Sequence, residues 1–109
     1  MSFEEHTLVL LRRPPGAPQL PEPELDTLQE RHLAHLAAMR ERGVMVAAGP
    51  FSNQTDESLR GLCVYAVPAD EARRLAEQDP SVKARRLAVD VVTWHAPPGG
   101  VRFGEAAGG

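Results

Sequence analysis

Between Glu24 and Met39 the apolar residues recur at helical spacing. At about 100° per residue Leu25, Leu28, Leu36 and Met39 fall within a quarter-turn of one another, and His32 falls among them. Glu30, Ala34, Ala37 and Glu41 point elsewhere. The pattern predicts a helix from about Glu24 to Arg42, with acids in its first turn, arginines in its last, and Gly43 in the position of a left-handed cap.

Strand patterns flank this helix. His6 to Leu11 reads as a first strand, ended by Pro14-Pro15-Gly16 and a proline-rich loop running to Pro23. Val44 to Ala48 reads as a second strand closed by Gly49-Pro50. Ser52 to Ser58 is a polar loop, and Gly61 to Val67 is a third strand. Pro68, Asp70 and Glu71 suit the first turn of a second helix, whose narrow apolar face is Ala72, Leu75 and Ala76 and whose end is expected near Gln78. Asp79-Pro80-Ser81 restarts a short turn before a last strand, Leu87 to Trp94, which is dense in β-branched residues. Residues 97–109 read as a flexible Gly/Pro-rich tail, so the domain is expected over 1–96.

The order strand, helix, strand, strand, helix, strand predicts an α+β, ferredoxin-like βαββαβ arrangement: an antiparallel sheet with two helices on one face. In the last strand Leu87, Val89, Val91 and Thr93 share the face that suits the helices. Ala88, Asp90, Val92 and Trp94 share the other. That second face is apolar apart from its acid, and we expect a partner subunit, packed sheet to sheet as a homodimer, or a ligand chamber to cover it. The plainer reading of Asp90 is an acid meeting solvent at the sheet margin.

Composition narrows the partners. The chain has 109 residues, 42% hydrophobic and 25% charged, as in an ordinary globular domain. Its net charge is −3 and its arginines occur as scattered close pairs (Arg12 and Arg13, Arg40 and Arg42, Arg73 and Arg74, Arg85 and Arg86) rather than in one stripe, so nucleic acid is not an expected partner. Cys63 is the single cysteine, lies in an apolar run, and reads as small core filler. No apolar run approaches the ~18 residues needed to span a bilayer and the first residues lack a signal-peptide core, so no membrane partner and a cytoplasmic location are expected.

His32 is the residue that asks for an explanation. An imidazole removed from water needs partners for both ring nitrogens, and an unmade bond costs on the order of 1–3 kcal/mol. Asp79 is the candidate partner, because it continues the inward stripe of the second helix and both helices lie on the same sheet face. An acid at that helix end opposes the dipole. Two roles for Asp79 are open. It is the N-cap of a short turn with Pro80 in first position, or its carboxylate orients His32, fixing the tautomer and stabilising the imidazolium so that the ring can move a proton. One oxygen can cap while the other accepts, so the roles are compatible.

Gly49 and Pro50 follow the strand next to the His32 helix, and their exposed backbone is a candidate substrate-binding element, although a plain strand-ending turn explains them as well. His35 falls at the edge of the apolar stripe, about 60° round, where water is expected to satisfy it. His6 and His95, at strand ends, are expected to be solvated, and Trp94 to be core or interface. His32 and His35 at i, i+3 lack a third ligand, so no metal site is expected, and no cofactor motif is present.

The segments His32-Leu33-Ala34-His35-Leu36, Gly43, Ala48-Gly49-Pro50, Asp79-Pro80 and Val91-Val92-Thr93-Trp94, in that order over residues 6–95, resemble the YCII-related (YciI-like) family. The resemblance implies a ferredoxin-like fold forming a dimeric α+β barrel, with a histidine and an aspartate as an active-site pair that map onto His32 and Asp79. The interval from His32 to Gly43 fits the family pattern better than that from His35. A few relatives are linked to dehydrochlorination of chlorinated aromatic compounds, and the barrel is similar to that of muconolactone isomerases. The expected function is therefore cofactor-free acid–base catalysis, an elimination or isomerisation of a small organic acid or phenol, with a non-catalytic ligand-binding or interaction domain as the alternative. A haem- or oxygen-using monooxygenase on the same barrel has less support, because no dedicated ligand set is present.

Overall fold

The computed structural model describes residues 2–104, and the elements run strand β1 (Glu4–Arg12), helix α1 (Glu22–Glu41), β2 (Met45–Pro50), β3 (Leu59–Tyr65), α2 (Ala69–Ala76), α3 (Pro80–Lys83) and β4 (Ala88–Ala96). The four strands form one antiparallel sheet in the order β2-β3-β1-β4, the ferredoxin-like order. Register follows the alternation of the sequence. Val9 faces Cys63 on one side and Val91 on the other, while Leu8 faces Val64 and Val92.

Those two rows are the two faces of the sheet. Val9, Leu11, Cys63 and Tyr65 join Met39 of α1, Leu75 and Ala76 of α2, and Leu87 in a single buried core, so both longer helices cover the same face. On the opposite face Val92 and Trp94 remain 41% exposed each. Asp90, also on that face, is exposed and ion-paired with Arg12, which is the solvent-margin arrangement.

The helix α1 starts two residues earlier than its pattern predicts, because Pro21 is its N-cap and Pro23 occupies the first turn, where a missing N–H costs nothing. It stops where expected. Gly43 takes φ of +75°, and its amide donates to the carbonyl of Arg40 at 3.0 Å.

Two expectations are corrected here. Gly49 and Pro50 do not form a turn after β2; they are its last two residues, opposite Leu62 and Gly61 in the ladder. Proline is tolerated because β2 is an edge strand. Asp79 does not continue α2, which ends at Ala76. It caps a separate helix, α3, accepting from the Ser81 amide at 2.9 Å. The carboxylate therefore sits at the start of a helix rather than opposing the end of one.

The expected tail is partly described. Residues 97–104 form no regular element, and the Phe103 ring lies 5.3 Å from that of His6, edge to face. Residues 105–109 lie outside the described residues.

Candidate active site

The turn of α1 that carries His32 directs its ring toward the junction between α2 and α3. Its Nδ1 lies 2.6 Å from Asp79 Oδ2, and the two residues are 8% and 2% exposed. A carboxylate can only accept, so Nδ1 carries the proton in this bond. Oδ1 of the same carboxylate receives the Ser81 amide. The one side chain therefore caps α3 and hydrogen-bonds His32 at the same time.

The opposite side of His32 opens on a cavity of about 420 Å³ between α1 and the β2–β3 end of the sheet. His32 lines it and Asp79 does not, so the ring nitrogen left for a ligand is Nε2. Gly49 and Pro50 line the same cavity, as do Leu25, Leu28 and Leu33 of α1. Gly61 lets β2 and β3 approach closely: a Cβ there would meet the Gly49 carbonyl oxygen at 2.9 Å, a backbone atom that moves only if the strand shifts.

Burial tunes the neighbours of the pair. The Cys63 thiol is pushed up to about 12, first by desolvation and then by the negative charge of Asp79. It is therefore a protonated core group on the cavity wall. The Tyr65 phenol is raised as well, by burial first and then by its neighbours Cys63 and Asp79.

His35 departs from its expected exposure. Its ring is half-buried and its Nε2 is shielded from water without a hydrogen-bond partner. Burial lowers its basicity, against a smaller opposing influence from the charge of Asp79. His6 departs likewise: its Nε2 is buried and unpaired, and its ring stands between Trp94, at 5.7 Å, and Phe103. His95 is exposed as expected, with Nδ1 3.7 Å from a carboxylate oxygen of Glu5.

Sequence reasoning missed three cavity residues, Arg13, Arg60 and Arg86. Strand register rather than local pattern brings them together: Arg12 lies opposite Ala88 of β4, beside which Arg13 and Arg86 fall just beyond the strands, and opposite Leu59 of β3, next to Arg60.

The family profile of the YCII-related domain matches residues 7–95. The chain belongs to this family. No curated protein matches it. Among solved structures it is similar to 5-chloro-2-hydroxyhydroquinone dehydrochlorinase (TftG) from Burkholderia phenoliruptrix AC1100, in complex with 2,5-dihydroxybenzoquinone. The identity is 23%, the match covers 82% of this chain and 92% of that one, and the TM-score is 0.54. That likeness supports the ferredoxin-like α+β fold of this YCII-related protein. Among its described residues no helix is long and apolar enough to cross a membrane.

Proposed function

We propose that this protein is a cofactor-free acid–base catalyst in which His32 Nε2 moves a proton on a small organic acid or phenol bound in the cavity, and Asp79 orients the ring. The observation that carries the reading is the 2.6 Å bond between His32 Nδ1 and Asp79 Oδ2, with the same imidazole on the cavity wall. A fixed tautomer leaves Nε2 as an acceptor directed at the ligand, the arrangement general-base catalysis requires.

In an elimination, Nε2 takes a proton from carbon, the C–H electron pair becomes the new double bond, and the leaving group departs with its own pair. The imidazolium then returns its proton to solvent. In an isomerisation it returns the proton to a different carbon of the same substrate. The structural relative is by its printed name a dehydrochlorinase, and loss of HCl is a net elimination.

The protein works, in this reading, as a cytoplasmic homodimer joined through the uncovered sheet face into an α+β barrel. Val92 and Trp94 support that arrangement as apolar residues left in water by the single chain.

The test is proton exchange in D2O, followed by NMR, across a panel of phenols and hydroxy acids that includes 5-chloro-2-hydroxyhydroquinone, with chloride release measured in parallel. Turnover that disappears in His32→Ala is the expected result. Ligands that bind without exchange or chloride release overturn catalysis and favour the binding-domain reading, in which Asp79 serves only to cap α3 and hold His32.

A further inference from the structure

The three arginines that line the cavity come from three different segments. Arg13 follows β1, Arg86 precedes β4, and Arg60 lies in β3. Antiparallel pairing brings these chain positions to one end of the sheet. Leu11 faces Gly61 while Arg12 faces Leu59, so Arg60 is the extra residue of a bulge, a device that re-aims a side chain. Arg85 takes a left-handed φ of 62°, a strained choice for a side-chain-bearing residue, immediately before Arg86.

Among the described residues none of the three guanidiniums forms a salt bridge. The arginines that do are Arg12, with Asp56 and Asp90, and Arg74, with Glu71. Arg86 donates to the Pro18 carbonyl at 3.0 Å and Arg60 to the Glu57 carbonyl at 3.2 Å, neutral partners that hold the side chains without cancelling their charge. Arg13 Nε is shielded from water with no partner. The Arg13 guanidinium is held below the usual arginine range, by burial first and then by the charges of Arg86 and Arg60. One acid, Asp26, lines the cavity against these three cations. In a chain whose net charge is −3, three guanidiniums facing one carboxylate are a local excess of positive charge.

We propose that the cavity binds a small cyclic or aromatic organic anion, its carboxylate or phenolate oxygen on the Arg13, Arg60 and Arg86 cluster and its apolar body against the leucines of α1. The inference rests on reading this cavity as the reactive site and adds the charge of the substrate. Guanidinium forks match carboxylate geometry, and three of them supply the positive field that a carbanion or enolate formed by proton removal needs. Leu25, Leu28 and Leu33 give the ligand's body an apolar wall.

Benzoate and its uncharged counterpart benzamide separate charge from shape, and phthalate doubles the charge. Titration calorimetry is expected to show benzoate and phthalate binding more tightly than benzamide, with affinity falling as salt is raised. Arg60→Gln, at an exposed position, is expected to weaken benzoate about tenfold or more. The unliganded melting temperature should stay the same or rise, because a like charge has been removed. Equal binding of benzoate and benzamide, an unchanged benzoate affinity in Arg60→Gln, or no binding of benzoate and phthalate at millimolar concentration overturns the assignment. The catalytic reading fails separately. If no turnover is found while arginine-dependent benzoate binding persists, also in Asp79→Asn, the anion site stands and acid–base catalysis does not. If His32-dependent turnover is found on uncharged substrates alone, catalysis stands and the anion site does not.

Discussion

His32 and Asp79 are 47 positions apart in the chain and 2.6 Å apart across their Nδ1 and Oδ2 atoms. The same carboxylate caps α3 through Ser81, so one side chain both builds the helix end and holds the imidazole. Replacing it by asparagine or by alanine should therefore have different consequences.

Asp79→Asn keeps the shape and a cap-forming oxygen, so stability should fall by only about 1 kcal/mol. Its amide cannot act as a pure acceptor, and the tautomer of His32 is no longer fixed; turnover should fall by about 10²- to 10⁴-fold. Asp79→Ala removes the cap, worth about 1 kcal/mol, and strands the buried Nδ1 at a further cost of about 1–3 kcal/mol. Urea unfolding of both variants beside the D2O exchange assay checks the split. Turnover retained in Asp79→Asn would assign Asp79 to structure alone.

The inward turn of His32 was legible because 3.6-residue periodicity fixes which side of a helix a residue occupies. The order of elements was legible for similar reasons, since strand alternation, prolines and Gly43 mark each boundary. What covers a side chain is another matter. Periodicity placed His35 at the margin of the stripe but carried no information about the tertiary packing that shields its Nε2. Asp79 was paired with the right residue through the wrong element, because a four-residue helix is too short to leave a periodic signal. The arginine cluster was hidden for a third reason. Its members are close only through strand register and a bulge at Arg60, and neither is encoded in local pattern.

Cys63 should resist alkylation in the folded protein. Its thiol is 2% exposed and pushed up to about 12, so almost no thiolate exists at neutral pH. Iodoacetamide labelling followed by mass spectrometry should proceed only as fast as the chain opens, and rise steeply in urea. Rapid labelling under native conditions would show that the cavity wall opens locally around β3.

Gly61→Ala tests the cavity wall. The added methyl would sit 2.9 Å from the Gly49 carbonyl oxygen, so β2 must shift away from β3 at the strand end that faces His32. Overpacking of this kind costs about 1–3 kcal/mol. Because Gly49, Pro50 and Gly61 all line the cavity, ligand affinity should fall together with the melting temperature. A variant of unchanged stability and affinity would mean that the edge strand yields freely and does not define the pocket.

His35 should make stability depend on pH. Its folded-state basicity is lowered from the ordinary value of 6.5, chiefly by burial, so below that value the unfolded chain binds a proton that the folded chain resists. Stability from this residue is complete above about pH 6.5 and is lost as the pH falls from there through the folded value. Urea unfolding between pH 5 and 8 should show stability rising with pH across this window. His35→Gln, which does not titrate, should flatten that part of the curve while leaving the His32 bond to Asp79 in place. An unaltered curve in His35→Gln would assign the pH dependence to other groups and place the His35 ring in water.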